Sequence, residues 1–149
     1  MTGAPPRGLD ERLRDTRAKL ENDVDVWIAT SGSTGGGAHL VPLSYLWDGT
    51  AFLVSAPRTS VTARNLLADG RVRLSLGPTR DVVIVDGTAE PVDPAPETGD
   101  AFATRTGFDP RRLAEPYQYF QIRPRRIQAW REENELRGRD LMRDSRWLG

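Results

Sequence analysis

Along residues 9–21 the positions Leu9, Leu13, Thr16, Ala18 and Leu20 form an incomplete stripe at helical spacing. Arg12, Arg14, Asp15, Arg17 and Lys19 fill the rest of that turn pattern. This predicts a surface helix packed over a core, its charged side chains in solvent. The preceding residues 1–8, with Pro5-Pro6, read as a loose terminus. From residue 24 the pattern becomes that of strands. β-Branched and aromatic residues crowd 24–31 (Val-Asp-Val-Trp-Ile-Ala-Thr-Ser), and 39–47 and 51–55 follow as further strands joined across Asp48-Gly49, a strong hairpin signal. The glycine-rich stretch 32–37 between the first two reads as a hairpin loop. It is not a phosphate-binding P-loop, because no Gly-Lys-Ser/Thr follows it and no helix pattern opens after it.

Residues 61–68 predict a short helix with Gly70 as a left-handed cap. Strands follow at 71–76 and 81–91, joined by Gly77-Pro78-Thr79-Arg80. Residues 94–107 read as a helix and 108–116 as a loop. Residues 117–130 form a last long strand in which Pro124 marks an edge or a bulge, and a charged tail runs over 131–149. About six strands at hairpin spacing, with few helices, predict a mainly β (α+β) fold: an antiparallel six-stranded barrel with peripheral helices. Strands do not alternate with long helices, which disfavours a parallel sheet. At 149 residues the chain reads as one domain over 1–149.

Composition narrows the chemistry. Twenty-one basic residues balance 21 acidic ones, so no global charge steers the chain to nucleic acid or to an anionic membrane. Cysteine is absent, which removes disulfides, thiolate metal sites and a cysteine nucleophile. His39 is the only histidine, which speaks against a histidine metal site and a Ser–His–Asp triad. Residues 1–8 hold no apolar stretch of signal-peptide type, and no run approaches a membrane span, so the expectation is a soluble cytoplasmic protein. All basic residues except Lys19 are arginines, so a single arginine carries little weight as a marker.

The most informative stretch lies between the strand 51–55 and the strand 71–76. Here Ser55 and Ala56 lead into Arg58, Thr59, Ser60, Thr62 and Arg64 at a helix start. Hydroxyls, guanidiniums and free amides at a helix N-terminus bind phosphate. Ser60 also reads as a plain N-cap. No acid–base pair or triad stands out elsewhere, so no catalytic residue is assigned and a bound cofactor is expected to carry any chemistry.

The run His39-Leu-Val-Pro-Leu-Ser44, then Trp47-Asp-Gly-Thr50, the helix start at 60–67, Arg71-Val-Arg-Leu74, Asp81-Val-Val-Ile-Val-Asp-Gly87 and the closing Trp130 and Arg139 together resemble the pyridoxamine-phosphate-oxidase-like, FMN-binding split β-barrels. The resemblance covers roughly residues 24–148. It implies a homodimer with two flavin sites at the interface. It implies that Val41, Pro42 and Leu43 run along the ring system, with Ser55 and Ala56 beside it. Ser60, Thr62 and Arg58 or Arg64 would hold the phosphate. Asp81 would lie near the cofactor, with Trp130 and Arg139 reaching it from the partner subunit. Many relatives carry Lys where Thr62 stands, so the phosphate charge would fall to Arg58 or Arg64. The family's pyridoxal-phosphate-binding set is not recognisable, which points away from pyridoxamine phosphate oxidase activity itself. The expected function is hydride transfer between FMN and an unidentified small molecule. The alternatives are a deazaflavin-dependent reductase of the same fold and a non-catalytic flavin or tetrapyrrole carrier. Nucleic-acid binding through Arg123, Arg125, Arg126 and Tyr119 is the remaining class, disfavoured because acidic residues are mixed into the tail.

Overall fold

The computed structural model describes residues 3–32 and 36–149. Ser33, Thr34 and Gly35 of the glycine-rich loop lie outside the described residues. A helix α1 (Leu9–Asn22) is followed by strands β1 (Asp25–Thr30), β2 (His39–Ser44), β3 (Leu46–Trp47) and β4 (Phe52–Pro57). Then come α2 (Val61–Ala68), β5 (Arg71–Leu76), β6 (Val82–Val92), α3 (Pro96–Thr106) and β7 (Tyr117–Trp130), and the tail forms β8 (Asp140–Arg143) and β9 (Arg146–Trp147). The strands lie in the order β2-β1-β5-β6-β7-β4-β3, all neighbours antiparallel, with β8 on β7 and β9 on β8. The two ends of this path, β2 and β3, are separated in the chain only by Tyr45. One bent stretch therefore borders both edges, and the sheet curls into a split barrel.

Tyr45 is the corner. It is 1% exposed, its hydroxyl donates to Leu20 O at 2.9 Å, and its ring meets Phe52 edge-on at 5.2 Å. Its turn interrupts the strand expected over 39–47. Together with the two tail strands, this gives nine strand segments among the described residues rather than six. The interior is filled by one apolar cluster that includes Ile28, Phe52, Val54, Leu74, Val85, Phe120, Ile122 and Ile127.

Three local expectations change and a fourth, at Pro124, is narrowed to one of its two alternatives. Gly70 is not a left-handed cap; α2 ends on Asp69 in extended backbone. Glycine is required there because a Cβ would sit 2.5 Å from Ala89 O. Pro124 is at a bulge, not an edge, since β7 is flanked by β6, β4 and β8. The register passes from Asp86 opposite Arg126 to Gly87 opposite Pro124, leaving Arg125 as the extra residue.

The last two corrections concern arginines. Arg7, in the expected loose terminus, is 7% exposed, and Arg12, expected in solvent, is 3% exposed. Arg7 donates to both carboxylate oxygens of Glu135, from Nε to Oε2 at 2.9 Å and from Nη2 to Oε1 at 2.7 Å. Arg12 Nη1 donates to the carbonyls of Ala129, Glu135 and Gly138. The N-terminal segment and the tail are thus clamped together over the end of β7. Arg7 holds the Glu135 carboxyl down to about 2, against the opposing push of burial.

Candidate functional site

β4 is buried through Ser55 and Ala56 and delivers the chain to the surface at Arg58 and Thr59, where α2 begins. Ser60 caps the helix: its Oγ accepts from Ala63 N at 3.1 Å and donates to Pro57 O at 2.7 Å. That hydroxyl is therefore already engaged, as the simpler reading of Ser60 holds. Thr62 is 3% exposed, beneath the helix start. Arg58 and Arg64 are different. Both are exposed, and neither side chain takes part in a hydrogen bond, ion pair or ring contact with the described residues. The backbone N–H of Arg58 donates to Pro116 O at 3.0 Å, which ties the loop to the entry of β7. With Ala63 N satisfied by the cap, the Val61 and Thr62 amides remain without intrahelical acceptors. Two free guanidiniums, an exposed Thr59 and two amides at a helix start fit a phosphate group.

Beside this cradle, α2 packs on β1, β2 and β4. Val41 and Leu43 of β2 are half-buried against the core, whereas Pro42 faces out opposite Trp27 of β1. Trp27 is 50% exposed and Leu40, opposite Ala29, is 59% exposed. The outer face of β1 and β2 therefore carries an apolar row, Trp27, Pro42 and Leu40.

Asp81, Trp130 and Arg139 form a second group. Val82, next to Asp81, pairs with Trp130, and the Arg139 guanidinium lies 5.7 Å from the Trp130 ring centroid. Asp81 is held on several sides. Lys19 Nζ is 3.1 Å from Oδ1 and donates to the Asp81 carbonyl at 2.6 Å; Arg131 Nε lies 3.4 Å and Arg7 Nη2 3.9 Å from the same carboxylate oxygen. Burial pushes this carboxyl up, but Lys19 and Arg131 outweigh it and hold it below the usual range. No hydrogen bond, ion pair or ring contact joins this group to the cradle among the described residues. His39 opens β2, half-buried. Among the described residues no group of three or more His, Cys, Asp or Glu is placed to hold a metal ion. No helix of the described residues is long and apolar enough to cross a membrane.

A sequence profile of the pyridoxamine 5'-phosphate oxidase family matches residues 14–131. The chain belongs to that family. The solved structures it resembles agree in fold. A FAD-binding protein from Mesorhizobium loti superposes with a TM-score of 0.63 at 17% identity, over 77% of this chain and 89% of that one. A Clostridium acetobutylicum protein of the pyridoxinephosphate oxidase family, related to general stress protein 26, gives 0.66 at 14% identity over 85% and 92%. HupZ from Group A Streptococcus gives 0.59 at 20% identity over 78% and 94%. No protein of curated function matches the sequence. In this member of the pyridoxamine 5'-phosphate oxidase family, the Arg7–Glu135 clamp and the burial of Arg12 were not legible beforehand. The tail mixes five acidic residues with five arginines, so Glu135 does not stand out in it.

Proposed function

We propose that this protein is a homodimeric flavin-binding protein in which each site is assembled from two chains. The observation that carries the reading is the pair of free guanidiniums, Arg58 and Arg64, at the start of α2. Most other arginines of the chain are engaged with carboxylates, carbonyls or rings. The FMN phosphate is assigned to Arg58, Arg64, Thr59 and the first amides of α2, with buried Thr62 shaping the floor. The ring is assigned to the strip formed by Val41, Pro42 and Leu43, next to Ser55 and Ala56. Trp130, Arg139 and Asp81 approach from the partner subunit. The apolar row at Trp27, Pro42 and Leu40 supports a chain–chain contact on the outer face of β1 and β2, because exposed apolar surface of this kind is stabilised by being covered.

When bound, the flavin supplies hydride chemistry. The chain contributes charge at the phosphate, an apolar wall that keeps water from the ring, and a neutralised Asp81 that brings no net negative charge to the site. The substrate is a small molecule, and the protein is read as an oxidoreductase. The visible spectrum of the protein as purified tests this: flavin absorption near its usual bands is the expected result. Colourless protein that takes up neither FMN nor a deazaflavin coenzyme on titration rules the reading out. Uptake of the deazaflavin alone assigns the same cradle to that coenzyme. Bound flavin without turnover under any electron donor makes the protein a carrier.

A further inference from the structure

A groove of about 890 Å3 is lined by none of the residues assigned to the flavin. It lies on the outer face of the sheet, across the first half of β5, the middle of β6 and the bulge of β7. Arg71 and Arg73, two apart on β5, both point outward and are exposed. On the other side of β6 a regular strand would offer one outward residue. The bulge opposite Asp86 and Gly87 offers two, so Arg125 and Arg126 both reach the groove. Bulges that re-aim side chains in this way recur next to functional sites. β8 adds Arg143, and its hairpin is pinned beside Arg125 by Ser145 N donating to Arg125 O at 2.9 Å. That turn holds two non-glycine residues at positive φ, Asp144 at 50° and Ser145 at 65°.

The groove lining thus holds five arginines against three aspartates. Two of the aspartates are already committed. Asp86 Oδ1 lies 2.6 Å from Arg73 Nε. Asp140 accepts from Arg143, Arg126 and Gln128, which hold its carboxyl down to about 2. Arg71 is paired with Asp69, outside the groove, and the Arg125 guanidinium has no partner among the described residues. Exposed pairs of this kind are worth little individually and exchange readily for a ligand that brings several anionic oxygens.

We infer that this groove is a second ligand site, separate from the flavin cradle, for a small polyanion whose anionic oxygens bridge the β5 arginines and the bulge arginines. Phosphoryl and carboxylate oxygens share this chemistry, and the experiment separates them. Amide shifts of Gly87, Thr88 and Arg125 are followed by NMR while the full chain is titrated, at low ionic strength, with pyrophosphate or with citrate. Saturable shifts with one or both probes are expected, and the more tightly bound probe names the class. Arg71→Ala/Arg125→Ala should weaken that binding about tenfold, and Arg125→Lys should restore part of it. Arg58→Ala/Arg64→Ala should leave it unchanged, which keeps this outcome independent of the flavin reading. Three results overturn the inference: no saturable shift with either probe, equal losses in both double variants, or shifts of the same amides with protein concentration alone. The last would make the groove a contact between copies of the chain.

Discussion

Two pairs of arginines in this chain have opposite surroundings. Arg7 and Arg12 are buried at the clamp between the N-terminal segment and the tail, their donors directed at Glu135 and at backbone carbonyls. Arg58 and Arg64 stand exposed at the start of α2 with no partner among the described residues. Burial of a guanidinium is tolerable only when carboxylate and carbonyl acceptors replace the lost water. An exposed guanidinium has no such requirement and stays available to a ligand. The first pair therefore belongs to stability and the second is left open to a ligand, although as letters in the sequence they are alike.

Breaking the clamp should have the largest effect. Glu135→Ala leaves Arg7 buried with its main acceptor gone, and should cost about 3–5 kcal/mol in chemical denaturation. The same carboxylate makes the clamp acid-sensitive. A carboxyl whose folded value lies near 2, below its ordinary value, contributes stability that is fully present above the ordinary carboxylate range and is lost as pH falls toward 2. Glu135 should account for roughly 3 kcal/mol of acid destabilisation across that window. A wild-type acid titration no steeper than that of Glu135→Ala would contradict this. Next in size is the cap of the cradle helix. Ser60→Ala should cost about 1 kcal/mol of stability through the lost cap, while flavin affinity measured by fluorescence quenching stays near the wild-type value. The smallest effect on stability is that of the cradle arginines: Arg58→Ala/Arg64→Ala should change it by less than about 0.5 kcal/mol, as surface substitutions do.

The barrel was largely legible because period-two patterning and turn residues are local. Asp48-Gly49 closes the β3–β4 hairpin as its residues require, with Gly49 at φ +98°. What was not legible depends on contacts distant in sequence. Nothing near Arg12 announces that three carbonyls from residues 129–138 will converge on it. Nothing near Gly70 announces Ala89 O, so a close approach read as a cap. The tail strands β8 and β9 escaped because they are short and their few apolar residues sit among charged ones; β8 is ordered by pairing with β7, and β9 by pairing with β8, rather than by their own pattern. For the site, the cradle's position between β4 and α2 could be read from sequence order. The Ser60 cap could be read as well, from its place at the helix start, whereas the lack of partners for Arg58 and Arg64 among the described residues could not.

We propose that these two arginines hold the phosphate of a flavin. It is tested most directly by equilibrium titration of FMN, followed by fluorescence quenching, into wild-type protein and into Arg58→Ala/Arg64→Ala. Saturable binding to the wild type is expected, with a loss of about tenfold to a hundredfold in the double variant and its unfolding midpoint preserved. Equal affinity for the two proteins would contradict it.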